Sequence, residues 1–402
     1  MDIIKSLSAP DNVSITTIDT HTCGEPSRIV FKGYPALRGT LLEQRAEAKA
    51  KHDHIRRRLM HEPRGHFDMY GAILRPETEL TRNGTADMGV LFTTNEGYST
   101  MCGHATLALG RFLVDTHDLE VFPNRDNLQF DHATKTVLLR LHAPCGLLEV
   151  TVPTTDDGRC SDPSRPVTFK SVACFATALS LSVPIPPKFR WPSLGKREEV
   201  VADFAYGGAF FCLITAAELG FTTGLQEFDF DAINEATRLM KAAVNANPEL
   251  AYLFRHPKEQ DLNFLYSVMV IDRSLGTPIN GSKGAETGLL FFSDQEVDRS
   301  PTGSGVSARL AVAYARGDLV EEEVWTYHSL VSLHGHPESA FVGKVIGKDE
   351  QFRTGTYPAV RTQVEGRAFY TGYHTFVVEK DDPLGDGGFI MKNFAKKGQD
   401  RD

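Results

Sequence analysis

Met101-Cys102-Gly103-His104-Ala105-Thr106-Leu107 and Pro301-Thr302-Gly303-Ser304-Gly305-Val306-Ser307 stand 200 residues apart and share one pattern. Each sets a sulfur- or oxygen-bearing residue directly before a glycine that opens a helix-like run. The runs Gly103 to Asp115 and Gly303 to Ala315 align without a gap, carry apolar residues at helical spacing and contain no proline. Two such helices can aim their free N-terminal N–H groups at one small anion. That arrangement suits chemistry at the carbon beside a carboxylate, with one residue on each face of the substrate. The two faces differ: Cys102 offers a thiol and Thr302 only a hydroxyl.

Working outward, residues 13–34 read as two strands around the turn at Gly24 and Pro26, and 40–60 as one helix without breakers. Residues 61–66 read as a loop. Short strands are expected near 69–75 and 88–93, strand-like segments at 136–152, an exposed loop at 153–166 and a strand at 167–175. The proline-rich stretch 184–192 reads as a linker. Beyond it come strands at 199–215, a helix near 229–245, and strands at 264–272 and 287–293. The Thr302 helix and strands at 324–332, 340–346, 358–364 and 367–378 complete the chain. Many short strands with one central helix in each half imply a duplicated α/β architecture. The expected division is an N-terminal lobe, residues 1–190 with the Cys102 helix, completed by 365–402. A C-terminal lobe, residues 191–364, holds the Thr302 helix.

The 402 residues are 41% hydrophobic and 24% charged, with a formal net charge of −9. That charge argues against a nucleic-acid surface, and the apolar runs are too short to span a bilayer. The start MDIIKSLSAPDN shows no basic segment leading into an apolar one, so no signal peptide is expected. Six cysteines without a CxxC pair read as reduced thiols, hence a cytoplasmic protein. Of these, Cys102 is singled out: a helix N-terminus lowers a thiol pKa and makes the thiolate available. Histidines 52, 54, 61 and 66 do not form a zinc helix, because Pro63 interrupts and His61 and His66 are five apart. The glycines near 303 lack the lysine of a phosphate loop. Neither a metal nor a cofactor is expected.

Taken together, Asp19-Thr20-His21-Thr22-Cys23-Gly24-Glu25-Pro26, Glu62-Pro63-Arg64-Gly65-His66, Asn95-Glu96-Gly97-Tyr98, Met101-Cys102-Gly103-His104 and Asp298-Arg299-Ser300-Pro301-Thr302-Gly303-Ser304-Gly305 resemble the proline racemase family over nearly the whole chain. The resemblance implies two pseudo-symmetric α/β lobes, each a barrel-like sheet around a central helix, with the substrate in the cleft between. Ala105 departs from the family's usual glycine. Members that racemise carry cysteine at both nucleophile positions. Threonine at the position of Thr302 resembles the branch that dehydrates trans-3-hydroxy-L-proline. Asp298 matches the position that holds the substrate's ring ammonium.

The chemistry of the two residues agrees. An aliphatic hydroxyl is a poor base unless a neighbour activates it, and the sequence around Thr302 supplies none. Dehydration needs one base only. In trans-3-hydroxy-L-proline the α-hydrogen and the 3-hydroxyl both lie opposite the carboxylate, so proton and leaving group share a face. The expected roles follow. Cys102 accepts the α-proton, while Thr302 is a passive wall and N-cap. Backbone N–H groups of Gly103, His104, Gly303 and Ser304 stabilise the charge that builds on the carboxylate. Phe292 is either a wall against the pyrrolidine ring or an ordinary core aromatic, and the His104 side chain has no assigned role. Two alternatives stay open: a proline or hydroxyproline racemase or epimerase that tolerates threonine, and a non-catalytic amino-acid-binding protein. The expected partner is a small hydroxyproline substrate, with assembly as a homodimer left open.

Overall fold

The computed structural model describes residues 14–279, 281–352, 355–379 and 381–396. Residue 13, at the start of the first expected strand, and residues 397–402, at the end of the expected first lobe, lie outside them. Within this range nineteen strands join in one hydrogen-bonded network.

The network is one pattern used twice. In the first set, Ser14–Thr22 pairs antiparallel with Glu25–Lys32, which runs parallel to Gly71–Arg75, itself antiparallel to Met88–Thr93. In the second, Glu199–Tyr206, Phe210–Thr215, Leu265–Asp272 and Gly284–Phe292 repeat that order of directions. Each fourth strand then runs parallel to the next, Thr136–Ala143 in the first set and Trp325–His328 in the second. The sets meet where Val167–Lys170 pairs with Val360–Gly366. Ala368–Val377 closes the first set against Ser14–Thr22, as Phe175–Pro184 closes the second against Glu199–Tyr206.

One helix fills each set. Gly103–Asp115 packs against strands of the first set and Gly303–Arg316 against strands of the second. From Gly103 to Val114 every residue is buried, which marks a helix enclosed on all sides rather than one lying on a surface. Each helix is entered through a tight hairpin. Phe92 and Thr93 pair with Ser99 and Tyr98 before Cys102, and Leu290 to Phe292 pair with Asp298 to Glu296 before Thr302.

Local expectations fail in three places. Residues 40–60 form two helices, Leu41–Lys51 and Asp53–Met60, because His52 leaves helical geometry at φ −123°. That break lets Arg56 bond Asp53 and reach the carbonyls of Thr94 and Asn95. The strand expected over 324–332 stops at His328, since Ser329 caps a short helix, Leu330–Leu333. Phe175–Pro184 is a ten-residue strand where the sequence pattern ends one at 175. Ile185 and Trp191, in the proline-rich stretch, are buried, and the Trp191 indole N–H donates to the Leu219 carbonyl at 2.8 Å.

Candidate functional site

The two helix N-termini meet head to head through their glycines. A Cβ added to Gly103 would lie 2.5 Å from the Gly303 Cα, and one added to Gly303 would lie 2.8 Å from the Gly103 Cα. Only glycine permits backbones this close. Cys102 and Thr302, each one residue before its glycine, are thereby brought to one junction and are both buried.

Cys102 occupies the N-cap in extended geometry, and its sulfur accepts the Ala105 N–H at 3.3 Å. Its Sγ lies 3.3 Å from Nδ1 and 3.4 Å from Nε2 of His104. Burial holds the His104 imidazole down at about 4, and its ring bonds the Pro26 carbonyl, so it is neutral at ordinary pH. The expected low thiol pKa is not what the surroundings of the sulfur produce. Burial pushes the Cys102 thiol well above its ordinary value, and Asp298 and Glu25 add to the rise. The Ala105 N–H and the Tyr70 hydroxyl pull it back only in part. Desolvation outweighs the helix terminus here because the sulfur is sealed from water.

On the facing helix Thr302 is indeed the residue before the first turn, yet its hydroxyl caps nothing. Its backbone is left-handed at φ +62°, a strained conformation for a β-branched residue. Its hydroxyl donates to Asp298 Oδ2 at 2.6 Å, and Asp298 Oδ1 accepts the Ser300 N–H at 2.8 Å. Asp298 thus ties the hairpin before the helix to the residue that precedes the helix.

Phe292 is buried and stands against two tyrosines, edge-on to Tyr70 at 5.8 Å and stacked on Tyr266 at 6.2 Å. Ser304 is buried in the first turn beside Gly303. The structure therefore gathers all the residues singled out in the sequence (Cys102, Gly103, His104, Phe292, Asp298, Thr302, Gly303 and Ser304) around the abutting helix ends. Every one is buried.

Several neighbours carry no sequence signal strong enough to single them out. Glu25 is fully buried; its Oε2 accepts the Arg299 N–H at 2.7 Å while Oε1 has no partner. Glu296 has the same form, with Oε1 accepting the Asn95 N–H at 2.9 Å and Oε2 unpartnered. Burial raises both carboxyls well above the usual range. Glu25 stands within the first matched motif, and that is the available signal. Tyr70 and Tyr266 stand in no motif. Among the described residues no group of three or more His, Cys, Asp or Glu side chains could hold a metal ion. No described helix is long and apolar enough to cross a membrane.

Comparison with known proteins gives the chain's relatives. A "Trans-L-3-hydroxyproline dehydratase" of Pongo abelii is 41% identical over 386 residues, 95% of this chain and 96% of the relative. A "Trans-3-hydroxy-L-proline dehydratase" of Homo sapiens is 40% identical over 387 residues, with the same coverage of each. Among solved structures, a hydroxyproline epimerase of Agrobacterium vitis with bound trans-4-hydroxy-L-proline superposes with a TM-score of 0.74. That structure is 23% identical and the match covers 95% of this chain and 96% of the other, which establishes the shared fold. With the model of the family described as "Proline racemase" also matching residues 17–389, this chain belongs to the proline racemase family.

Proposed function

We propose that this protein is a hydro-lyase that dehydrates trans-3-hydroxy-L-proline to Δ1-pyrroline-2-carboxylate. One observation carries the reading: the junction of the two helices presents a thiol, Cys102, opposite an alcohol whose hydrogen is already committed to Asp298. Relatives at 40–41% identity that bear the dehydratase name support it. An epimerase needs an effective acid and base on both faces, and the Thr302 alcohol is a far weaker acid and base than a thiol.

The substrate enters as a zwitterion. Asp298 pairs with its ring ammonium and keeps it protonated and electron-withdrawing. That cation also supplies the positive charge that the buried sulfur lacks, bringing the Cys102 thiol down toward its working range. Cys102 thiolate then takes the α-proton while charge builds on the substrate carboxylate. The backbone N–H groups of Gly103, His104, Gly303 and Ser304 stabilise that charge, each well-placed donor contributing about 3 kcal/mol. Phe292 walls the ring and Thr302 closes the far face without exchanging a proton. Loss of the 3-hydroxyl as water leaves an enamine that tautomerises to the cyclic imine without a further residue. No cofactor is required by this sequence of steps. The six free cysteines, one of them exposed, suit a reducing compartment, and we place the enzyme in the cytoplasm.

The test is a panel of both 3-hydroxyproline isomers, both 4-hydroxyproline isomers and L- and D-proline, followed for imine and for optical rotation. Imine from trans-3-hydroxy-L-proline alone, without inversion of the others, is the expected result. Inversion of proline or 4-hydroxyproline in its place would overturn the reading in favour of an epimerase. Tight binding without turnover would overturn it in favour of a binding protein.

A further inference from the structure

Tyr70 stands directly before the strand Gly71–Arg75, and its side chain is buried. Its hydroxyl lies 2.5 Å from Ser99 Oγ, and its neighbour His104 holds Nδ1 3.3 Å from the Cys102 sulfur. Its ring meets His104 edge-on at 4.7 Å and Phe292 edge-on at 5.8 Å. The phenol is thus held between a serine hydroxyl, Phe292 and the imidazole that touches the sulfur.

The position matters because of the substrate's stereochemistry. The α-hydrogen and the 3-hydroxyl project from adjacent ring carbons on the same face. A group packed beside the sulfur that takes the hydrogen is therefore on the side of the departing oxygen. Hydroxide is a poor leaving group, and a positioned proton donor is what its departure requires. Resting on the dehydratase reading above, we propose that Tyr70 is the general acid for the 3-hydroxyl, with Ser99 as its positioning partner. Cys102 thiolate takes the α-proton. The freed C–H electron pair forms the C2=C3 bond as the C3–O bond breaks with its pair on oxygen. That oxygen takes the Tyr70 hydroxyl proton and leaves as water. The phenolate regains a proton from the new Cys102 thiol, which restores both residues to their starting states. Burial keeps the Tyr70 hydroxyl protonated until the leaving group demands it.

The test compares trans-3-hydroxy-L-proline with trans-3-chloro-L-proline, whose chloride leaves without a proton. Tyr70→Phe should cut imine formation from the hydroxy substrate about 100-fold or more. Elimination from the chloro substrate should fall about tenfold at most, the loss expected from a further-raised Cys102 thiol alone, and its turnover also shows that the variant is folded. Ser99→Ala keeps the phenol but frees its outer side, and should slow the hydroxy substrate alone. Undiminished hydroxy turnover in Tyr70→Phe would overturn the proposal. So would equal losses on both substrates in Tyr70→Phe with a wild-type thermal melt, or in Ser99→Ala. Cys102→Ser, assayed beside them, separates this from the reading it rests on: turnover of either substrate by that variant would remove the base, whatever Tyr70 does.

Discussion

Thr302 donates its hydroxyl hydrogen to Asp298 at 2.6 Å, across a backbone twisted to φ +62°. The residue proposed for the second face of the substrate is thereby bound to the carboxylate proposed to receive the ring ammonium. A sulfur at that position would be a weaker hydrogen-bond donor and a far better acid and base at neutral pH. Thr302→Cys is accordingly expected to add α-proton exchange from the opposite face, read as slow epimerisation of L-proline by chiral chromatography. A folded Thr302→Cys that never inverts proline would remove the argument from the second face.

Gly103 and Gly303 fix how closely the helix ends approach. Gly103→Ala or Gly303→Ala forces a methyl group into the opposing backbone, where no flexible side chain can yield. Each should destabilise the protein by about 3 kcal/mol and separate the N–H groups proposed to face the substrate carboxylate. Gly97→Ala is the control: a Cβ there meets nothing within 4 Å. Chemical denaturation of the three variants checks this, and an unchanged midpoint for Gly103→Ala would contradict it.

Much of this is legible in the chain. The Cys102 and Thr302 helices begin where glycine follows the polar residue, and their apolar spacing locates both to within a residue of the observed ends. Tyr70 and Tyr266 are not legible, because an aromatic in or beside a buried strand carries no mark of what its hydroxyl meets in three dimensions. The charge state of Cys102 departs from its sequence expectation for a related reason. A helix N-terminus can be read from sequence, whereas the burial that overrides it depends on everything packed around the sulfur. The break at His52 carries no glycine or proline to announce it.

Glu296 gives a pH-dependent stability with a definite sign. Its carboxyl is raised in the folded state by burial, so it binds a proton that the unfolded chain has already released. The stability tied to that proton is present at acidic pH, below the unfolded value, and is lost as pH rises through the folded value. Glu296→Gln keeps an acceptor for the Asn95 N–H without a titrating group. Its melting temperature should exceed that of wild type increasingly from neutral to alkaline pH. A gap that narrows as pH rises would contradict the assignment.

The pH profile of kcat/KM follows from the same burial. The Cys102 thiol of the free enzyme is held up, so activity should rise with pH across the neutral range into the alkaline. His104, held at about 4, should contribute no limb near 6.5. A profile that falls between pH 7 and 9 in a stable protein would show that Cys102 is not the group being deprotonated.

The most direct measurement is imine formation from trans-3-hydroxy-L-proline by Cys102→Ser, with substrate binding followed separately. Replacing the sulfur with oxygen in the same buried pocket removes the base while preserving shape. Turnover should fall by about a thousandfold or more while the variant still binds substrate. Turnover near the wild-type rate would show that some other group takes the α-proton.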